Sequence, residues 1–374
     1  MTGVLLAGGG TAGHVNPLLA TADELRSRHP DLALRVLGTR EGLEADLVPA
    51  RGFDLSFVPR VPLPRRPSTA YLSLPGRLRA AVRAAGEAID EVGASVVVGF
   101  GGYVSTPAYL AARRRGVPIV IHEQNTRPGL ANRLGARWAA ATAVTFAGTP
   151  LRGATVTGLP MRREVETLAR GRGDLQVRAD ARRALGLDPS RAVLLVTGGS
   201  LGAQRVNEAL TGAAADVLAH AQVLHLTGRG KSGPVLAAVD LLSPALRAGY
   251  HVREYLDEMQ LAYAAADLVV CRAGAGTVCE LAAVGLPAVY VPLPIGNGEQ
   301  ARNASGVIEA GGGLLVRDAD LDAALVRREV VPLLAAPDRL ASMGRAAAGV
   351  GVADGAARLV DLVDTVRRGP GAAA

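Results

Sequence analysis

The chain has 374 residues, of which 49% are hydrophobic and 20% charged, and its formal net charge is +7. The chain is longer than one ordinary domain, so we expect two domains. Its high hydrophobic fraction and modest charged fraction exclude wholesale disorder, so both domains should be globular. The positive charge suits an anionic partner such as a pyrophosphate or an acidic membrane surface, whereas the lack of a dense Lys/Arg run argues against nucleic acid.

Strand and helix patterns alternate along the first half of the chain, which is typical of a parallel α/β fold. Short apolar runs predict the strands, and amphipathic runs predict the helices between them. In chain order, the predicted elements are a strand at 4–7, a helix at 17–28, a strand at 34–37, a helix at 77–91, a strand at 95–98, a helix at 107–115 and a strand at 119–121.

The pattern restarts after Gly158-Leu159-Pro160, which predicts a domain boundary near residue 160. The second half opens with VLLVTGGSLGAQRVNEAL, which is similar to VLLAGGGTAGHVNPLLA at the start of the chain. Both stretches predict a strand, a glycine turn and a helix, so we predict two Rossmann-like α/β domains. The other predicted elements are a charged segment at 164–183, strands at 192–196, 268–270 and 288–291, helices from about 203 and at 356–367, and a disordered tail at 368–374.

The first glycine turn has the spacing G-x-G-x-x-G at Gly8, Gly10 and Gly13, after a strand and before a helix. This is the context of a dinucleotide-binding loop. The acidic residue expected at the end of the next strand is missing, and Arg40 stands there, where it would suit a 2′-phosphate. On this motif alone an NADP-dependent oxidoreductase is an open alternative.

His14 follows this turn directly, at the start of a predicted helix. The helix dipole favours the neutral imidazole at this position, and a neutral imidazole can accept a proton as a general base. A capping or purely structural histidine is the other interpretation of the same spacing.

Two polar loops follow later strands of the first half. The loop GFGGYVS at 99–105 contains Tyr103, and the loop HEQN at 122–125 contains Glu123 and Asn125. Ligands of open α/β sheets bind at the carboxyl ends of the strands, so these loops are candidate parts of a site. An ordinary glycine turn and a satisfied polar network are the respective alternatives.

The second half contains two candidate ligand-binding loops. The stretch GGSLGAQ at 198–204 predicts a phosphate cradle of backbone N–H groups, the Ser200 hydroxyl and a helix N-terminus. The stretch at 271–303 adds a second glycine-rich helix start with Glu280, and ends with Glu299 and Gln300. These groups suit a nucleotide-sugar, with N–H groups for phosphates, a carboxylate for ribose hydroxyls and an amide for sugar hydroxyls.

No metal site is predicted. Asp318 and Asp320 have a spacing that can hold a divalent metal, but they lie near the start of a predicted helix, where aspartates commonly cap. Cys271 and Cys279 are predicted to be buried apolar residues, not a disulfide or a metal pair. The sequence therefore requires no cofactor, although a divalent cation that the protein does not hold could accompany a phosphate-bearing ligand.

The chain has no apolar run near the roughly 18 residues that span a bilayer, so we expect a cytoplasmic protein. The segment at 61–83 mixes leucines and Tyr71 with five arginines, a pattern that suits an anionic membrane surface. An ordinary amphipathic helix with an Arg-rich face explains the same pattern equally well.

Taken together, these motifs resemble the MurG family, and the resemblance covers nearly the whole chain. The wording IGNGEQ is similar to the actinobacterial branch. Six stretches in the family's order carry the resemblance: GGGTAGHVNPLLA, GFGGYVSTPAYLAA, HEQNTRPGLANR, GLPMR, GGSLGAQRVNEAL and CRAGAGTVCELAAVGLPAVYVPLPIGNGEQARNA.

The resemblance implies a GT-B fold, in which two Rossmann-like α/β domains are separated by a cleft. Residues 1–160 would form an acceptor- and membrane-facing domain, 161–349 a UDP-GlcNAc-binding domain, and a helix at about 350–367 would return to the first. The implied reaction is inverting transfer of N-acetylglucosamine from UDP-GlcNAc to the 4-hydroxyl of undecaprenyl-pyrophosphoryl-MurNAc-pentapeptide. The implied location is the cytoplasmic face of the membrane, with cell-wall synthesis and division proteins as candidate partners.

The family's site residues carry over to matching positions of this chain. His14 would be the base, and Tyr103 and Glu123 would shape the acceptor side. The implied UDP-GlcNAc-binding residues are Thr11, Ala12, Gly13, Asn125, Arg162, Ser200, Leu256, Ala275, Gly276, Thr277, Val278, Cys279, Glu280, Glu299 and Gln300.

Two positions depart from the family's usual wording. Ala12 replaces a glycine, which adds a methyl group near the phosphates, and Glu299 stands where glutamine is frequent. A related glycosyltransferase with another acceptor, an NADP-dependent oxidoreductase and a non-catalytic nucleotide-sugar-binding protein are the open alternatives.

Overall fold

The computed structural model describes residues 3–61, 70–171, 173–199, 202–294 and 298–369, with the backbone alone at 70–73. The chain divides into two compact units. The first consists of Met1–Arg162 with Asp354–Ala374, and the second of Arg163–Ala353. The first unit is therefore made of two separate stretches of the chain.

The first unit is a parallel α/β sheet covered by helices. Its elements are β1 (Gly3–Gly8), α1 (Ala12–Arg28), β2 (Ala33–Gly38), α2 (Glu44–Ala50), β3 (Asp54–Phe57), α3 (Ala70–Val92), β4 (Ala94–Gly101), α4 (Ser105–Arg115), β5 (Ile119–Glu123), α5 (Leu130–Gly135), β6 (Ala141–Val144) and β7 (Ala154–Val156). Among the described residues the sheet has seven strands, in the order β3-β2-β1-β4-β5-β6-β7.

Both faces of this sheet are buried, which explains why its strands are nearly continuous apolar runs. Successive side chains of a strand point to opposite faces. Val4 and Leu6 of β1 accordingly belong to one core layer, and Leu5 and Ala7 belong to the other.

The second unit repeats this architecture. Its elements are α6 (Arg163–Arg170), α7 (Leu175–Leu185), β8 (Val193–Thr197), α8 (Gln204–Gly212), α9 (Ala214–Leu218), β9 (Gln222–Leu226), α10 (Ser232–Asp240), α11 (Pro244–Arg247), β10 (Tyr250–Arg253), α12 (Met259–Ala265), β11 (Leu268–Cys271), α13 (Ala275–Val284), β12 (Ala288–Tyr290), α14 (Glu299–Glu309), β13 (Gly313–Leu315), a 3₁₀ turn (Asp318–Asp320), α15 (Ala323–Leu325), a π-helical turn (Val326–Val330), α16 (Val331–Leu334) and α17 (Pro337–Val350). Its parallel sheet has six strands within the described ranges, in the order β10-β9-β8-β11-β12-β13.

The last helix of the chain, α18 (Gly355–Arg368), belongs to the first unit, where it packs on α1. Its residues Leu359, Val360 and Val363 are fully buried in the core layer of Val4 and Leu6. The predicted tail starts one residue too early, since Arg368 is still helical, and 370–374 lie outside the described residues.

Both sheets reverse their strand order at one point. In the first sheet β1 lies between β2 and β4, and in the second β8 lies between β9 and β11. Such switch points leave a crevice at the carboxyl ends of the two strands, where open α/β sheets bind ligands. The glycine loops after β1, β4, β8 and β11 are the loops at these points.

Three helices within Met1–Arg162 begin earlier than predicted, and the two larger differences have the same cause. The smaller difference is in α4, which was predicted from 107 and begins at Ser105. The helix predicted at 17–28 begins at Ala12, and the helix predicted at 77–91 begins at Ala70. Pro17 and Pro75 lie inside these helices, close to their starts. A proline near a helix start removes one backbone hydrogen bond without ending the helix. Six strands were not predicted: β3, β6 and β7 of the first sheet, and β9, β10 and β13 of the second.

The described part of the segment at 61–83 fits the amphipathic-helix interpretation. Leu74 and Leu78 of α3 pack against the core of the first unit, while Arg77, Arg79 and Arg83 are exposed. Residues 62–69 lie outside the described residues. None of the helices in the described ranges is both long and apolar enough to cross a membrane.

Candidate functional site

The loop between β1 and α1 is hydrogen-bonded to the buried carboxylate of Glu44. Gly10 has a positive φ of 86°, and its N–H donates to Oε2 of Glu44 at 2.9 Å. The other carboxylate oxygen, Oε1, accepts from the backbone N–H and the hydroxyl of Thr39 at 2.8 and 2.9 Å. Glu44 is fully buried, and a Cβ added to Gly9 or Gly42 would collide with its carboxylate.

Glu44 was missed in the sequence because it lies six residues beyond the end of β2, outside the usual position of a dinucleotide acid. Its presence argues against the NADP alternative. The N–H of Gly10, which a pyrophosphate would need, is already taken by a negative charge that would repel one. Arg40 lies over the Phe57 ring, with its guanidinium carbon 4.5 Å from the ring centroid.

His14 lies in the first turn of α1 and is half-buried. Its Nδ1 is 3.1 Å from the hydroxyl oxygen of Thr11. Burial lowers the pKa of the imidazole, while a hydrogen bond with the Gly9 backbone and the charge of Glu44 act in the opposite direction. The ring is therefore neutral at neutral pH, the form that a general base needs.

The glycine turns after β1 and β4 meet at His14, and Asn132, which binds Glu123, borders the second of them. A Cβ added to Gly101 would lie 3.3 Å from both His14 Nε2 and Asn132 Nδ2. A Cβ added to Gly102 would lie 2.6 Å from the Gly9 carbonyl oxygen. Both glycines have positive φ, so the turn after β4 depends on them for its conformation as well as for its close approach.

Glu123, which the resemblance places on the acceptor side, binds groups of its own loop with both carboxylate oxygens. Its side chain is buried, and Oε1 accepts from the Asn125 N–H at 3.0 Å. Oε2 accepts from the Gly129 N–H at 3.0 Å and from Nδ2 of Asn132 at 2.9 Å. Both oxygens are engaged within the loop after β5, so this carboxylate positions the loop.

Asn132 connects this loop to the rest of the site, a role that no local pattern in the sequence indicates. Its Nδ2 donates to Glu123, and its Oδ1 accepts a hydrogen bond from the Tyr109 hydroxyl at 2.8 Å. Tyr109 is itself buried. Of the other predicted residues here, Tyr103 is exposed with the Arg60 guanidinium carbon 5.5 Å from its ring centroid.

His122 is a structural residue. It is fully buried, its Nε2 donates to the Gly158 carbonyl at 2.9 Å, and its Nδ1 accepts from Nε2 of Gln124 at 3.1 Å. Burial lowers the pKa of His122 to about 4, so the ring is neutral in the folded protein. The interpretation of HEQN as a satisfied polar network therefore holds for His122 and Glu123, whereas the buried Oε1 of Gln124 has no hydrogen-bond partner among the described residues.

This buried histidine predicts a loss of stability in mild acid. The unfolded chain protonates His122 near pH 6.5 and the folded chain does so only near pH 4, so its contribution is intact above pH 6.5 and falls as the pH decreases. We expect the free energy of unfolding of the first unit to fall by about 2 kcal/mol at pH 5 from this residue alone. Urea unfolding followed by fluorescence of Trp138, the one tryptophan of the chain, measures this.

The control for this measurement is a pair of variants. His122→Gln should flatten the decline between pH 7.5 and 5, whereas His220→Gln, at an exposed histidine, should leave it unchanged. An identical pH slope in His122→Gln and the natural protein would contradict the assignment.

In the second unit, the loop after β8 has the shape of the predicted phosphate cradle at the positions that are described. Gly199 and Gly202 have positive φ, and a Cβ added to Gly198 would collide with the backbone N of Ala203. Close approach of this kind requires glycine. Ser200 lies outside the described residues.

The N-terminus of α13 provides the second set of backbone donors. The helix begins at Ala275, and its N-cap, Gly274, has no side chain to satisfy the N–H groups of the first turn. Gly276, Thr277 and Cys279 in the first turns are half-buried, while Val278 is buried. This helix end can therefore bind an anion through its backbone and dipole.

Glu280 lies on the same helix, one turn further on. It is half-buried, and its Oε2 accepts a hydrogen bond from the hydroxyl of Tyr263 at 2.8 Å. Tyr263 lies on α12 and is buried. Tyr263 was not predicted as a site residue. In the sequence, a tyrosine within a helix of mostly small apolar residues has the same pattern as an ordinary core residue.

The remaining predicted residues lie in loops or at a helix start. Glu299 and Gln300 begin α14, and Oε1 of Gln300 accepts from the Leu293 N–H at 2.9 Å. Leu256 is half-buried in the loop after β10. Arg162 is half-buried and is the last residue of the first stretch of the first unit.

The D-x-D spacing does not form a metal site. Asp318 pairs with Arg272 at 2.6 Å, and Asp320 pairs with Arg317 at 2.6 Å. Capping, which we expected of these aspartates, is found at Asp322, whose side chain accepts from the Leu325 N–H. Among the residues that the structure describes, no three His, Cys, Asp or Glu side chains are grouped as metal ligands.

Comparison with protein-family models identifies both halves of the chain. Residues 4–144 match the glycosyltransferase family 28 N-terminal domain, and residues 193–359 match the glycosyltransferase family 28 C-terminal domain. A protein from Nocardioides sp. is 56% identical over 362 residues, covering 96% of this chain and 97% of its own length. Its name is UDP-N-acetylglucosamine--N-acetylmuramyl-(pentapeptide) pyrophosphoryl-undecaprenol N-acetylglucosamine transferase.

Further similarities agree with this family. A protein of the same name from Frankia casuarinae is 55% identical over 361 residues, covering 96% of this chain and 94% of its own. The crystal structure of MurG from Acinetobacter baumannii is similar with a TM-score of 0.76 and 26% identity, covering 97% of this chain and 99% of the other. The predicted α/β fold of the GT-B class and the predicted resemblance are both confirmed. The chain belongs to the MurG family of glycosyltransferases.

Proposed function

We propose that this chain transfers N-acetylglucosamine from UDP-GlcNAc to the 4-hydroxyl of the MurNAc unit of undecaprenyl-pyrophosphoryl-MurNAc-pentapeptide, with inversion and release of UDP. The observation that carries this proposal is the transferase name shared by relatives that are 56% and 55% identical over nearly the whole chain. That name gives both the sugar that is transferred and the lipid-linked acceptor.

For the donor we assign the second unit. The open N-terminus of α13, from Ala275 to Cys279, meets the nucleotide and its phosphates, together with the loop of Ser200 and with Arg162. Glu280 accepts hydrogen bonds from the ribose hydroxyls, and Tyr263 holds its other oxygen in place. Leu256 contacts the uracil. Gln300, with Glu299 beside it, hydrogen-bonds to the sugar hydroxyls.

For the base we assign His14 in the first unit. Its neutral imidazole takes the proton of the acceptor 4-hydroxyl as the oxygen forms a bond to the anomeric carbon of the donor. The bond from that carbon to the diphosphate breaks, and UDP leaves with the bonding electron pair. Helix N-termini stabilise the developing negative charge of the leaving group. A donor role for Thr11, Ala12, Gly13 and Asn125, and an acceptor role for Tyr103, stay predictions.

Glu123 acts in this scheme through the loop that it organises. The carboxylate accepts hydrogen bonds from Asn125, Gly129 and Asn132, and Asn132 borders Gly101, as His14 does. Loss of this carboxylate would therefore disorder the loop, and any effect on proton transfer would be indirect.

We place the protein on the cytoplasmic face of the cell membrane as a peripheral protein. A lipid-linked acceptor requires contact with the bilayer surface, and the exposed Arg77, Arg79 and Arg83 of α3 suit anionic headgroups. Association with cell-wall synthesis and division proteins, and the absence of a protein-held metal from the reaction, stay predictions.

The test is transfer of labelled sugar from UDP-GlcNAc to a short-chain analogue of the lipid-linked muramyl-pentapeptide, with UDP release measured in parallel. We expect sugar transfer and UDP release in equal amounts. Binding of UDP-GlcNAc without transfer to this acceptor would leave the donor assignment in place and overturn the acceptor.

A further inference from the structure

A buried ion pair lies beside the proposed donor site and takes no part in the scheme above. Asp318 follows β13, and its Oδ1 is 2.6 Å from Nη1 of Arg272, which follows β11. The two side chains are only 12% and 13% exposed. The second oxygen of Asp318 is 3.3 Å from Nε of Arg205, in the first turn of α8 next to the phosphate loop.

Arg272 extends this cluster to the segment after β12. Its Nη1 also donates to the carbonyl oxygens of Val291 and Pro292, at 3.1 and 3.3 Å. The next residue, Leu293, donates its N–H to Oε1 of Gln300 at 2.9 Å. One arginine therefore connects the glycine turn before α13 with the segment that contacts Gln300.

The geometry of the cluster favours positioning over simple charge balance. One nitrogen of the guanidinium, Nη1, makes the contacts with the carboxylate and with both carbonyls, so Asp318 fixes where this nitrogen lies against the two carbonyls. Charged groups this deeply buried are costly to separate, since removing one partner leaves the other uncompensated. The carboxyl ends of β8, β11, β12 and β13 are thus joined through one carboxylate.

We propose that Asp318 and Arg272 are positioning residues for recognition of the donor sugar. They hold Val291 and Pro292, and through Leu293 the amide of Gln300, in the arrangement that meets the sugar. The nucleotide is held separately by α13 and Glu280. This inference rests on the donor assignment of the proposed function and adds that sugar recognition depends on the ion pair more strongly than nucleotide recognition does.

The test compares the affinities for UDP-GlcNAc and for UDP alone by titration calorimetry. In Asp318→Asn we expect the Kd of UDP-GlcNAc to rise about tenfold and that of UDP to change less than about twofold, since only the sugar contact is displaced. The matched control is Asp320→Asn in the same 3₁₀ turn, because Asp320 pairs only with the exposed Arg317 in the described structure. Neither affinity should change in this control.

A second variant separates positioning from charge. Arg272→Lys keeps the positive charge, but its Nζ lies one bond short of the position of Nη1, the nitrogen that contacts the carboxylate and both carbonyls. We therefore expect the same selective loss as in Asp318→Asn. If Asp318→Asn does not fold, the affinities of Arg272→Lys for UDP and UDP-GlcNAc test the proposal instead.

The outcomes that overturn the proposal are distinct from failure of the donor assignment. Equal weakening of UDP and UDP-GlcNAc, no weakening of either, or natural affinities in Arg272→Lys would each overturn the positioning role alone. A natural protein that binds UDP but gains nothing from the sugar would overturn the sugar assignment of Gln300 and this proposal together.

Discussion

Replacement of His14 by alanine should lower kcat for sugar transfer by about 10²- to 10⁴-fold, the usual contribution of a general base. The imidazole is half-buried in the first turn of α1, and burial keeps its pKa below the ordinary value. It is therefore ready to accept a proton at neutral pH. The Kd of UDP-GlcNAc should change little, because the nucleotide is assigned to the second unit. Steady-state transfer and equilibrium donor binding, measured side by side, check both statements.

The control for this variant is His220→Ala, which removes an exposed histidine of the second unit. It should have natural turnover. If His14→Ala turned over at a near-natural rate, His14 would no longer be a candidate base. If it instead lost donor affinity as much as turnover, the residue would be a binding group.

Replacement of Glu280 by alanine should weaken UDP-GlcNAc binding about 100-fold. Two hydrogen bonds from ribose hydroxyls to a carboxylate, at about 1.5 kcal/mol each, together contribute about 3 kcal/mol. Once donor is saturating, kcat should be affected much less than KM, because ribose binding is the same before and during transfer. Calorimetric titration with UDP and with UDP-GlcNAc should show equal losses, since both contain the ribose.

Tyr263→Phe gives a graded version of the same experiment. It removes only the hydroxyl that holds Oε2 of Glu280, so we expect a loss of about fivefold. Glu309→Ala, at the exposed end of α14, is the matched control and should bind normally. Unchanged donor affinity in Glu280→Ala would reject the ribose assignment.

The sequence was sufficient for the fold because its signals are local. Apolar runs such as Val4 to Ala7 and Leu268 to Val270 predicted the central strands, and the structure places them there. The strands that were missed are β3, β6 and β7 of the first sheet and β9, β10 and β13 of the second. All of them except β9 have three or four residues, some exposed or half-buried, and lie toward or at the sheet edges. Short strands of this kind have no strong pattern of their own. The buried β9 has an apolar run that Gln222 and His225 interrupt.

The candidate site could be predicted only in part, because several of its groups act at long range in the chain. Glu44 reaches back 34 residues to Gly10, and Arg272 pairs with Asp318 46 residues away. The spacing of neighbouring residues does not predict contacts between positions so far apart in the chain. The same limit applies to Glu123, whose partners from Asn125 to Asn132 become visible only in the folded loop.

The discontinuity of the first unit has a consequence for how the chain folds during synthesis. Domains generally fold in the order in which the ribosome releases them. Here Leu359, Val360 and Val363 of α18 are made after the whole second unit, yet they are part of the core around Val4 and Leu6. Each contributes about 1.5–3 kcal/mol of burial. One apolar face of the first sheet therefore stays incompletely covered during synthesis. It is covered only when α18 has been made, after the second unit.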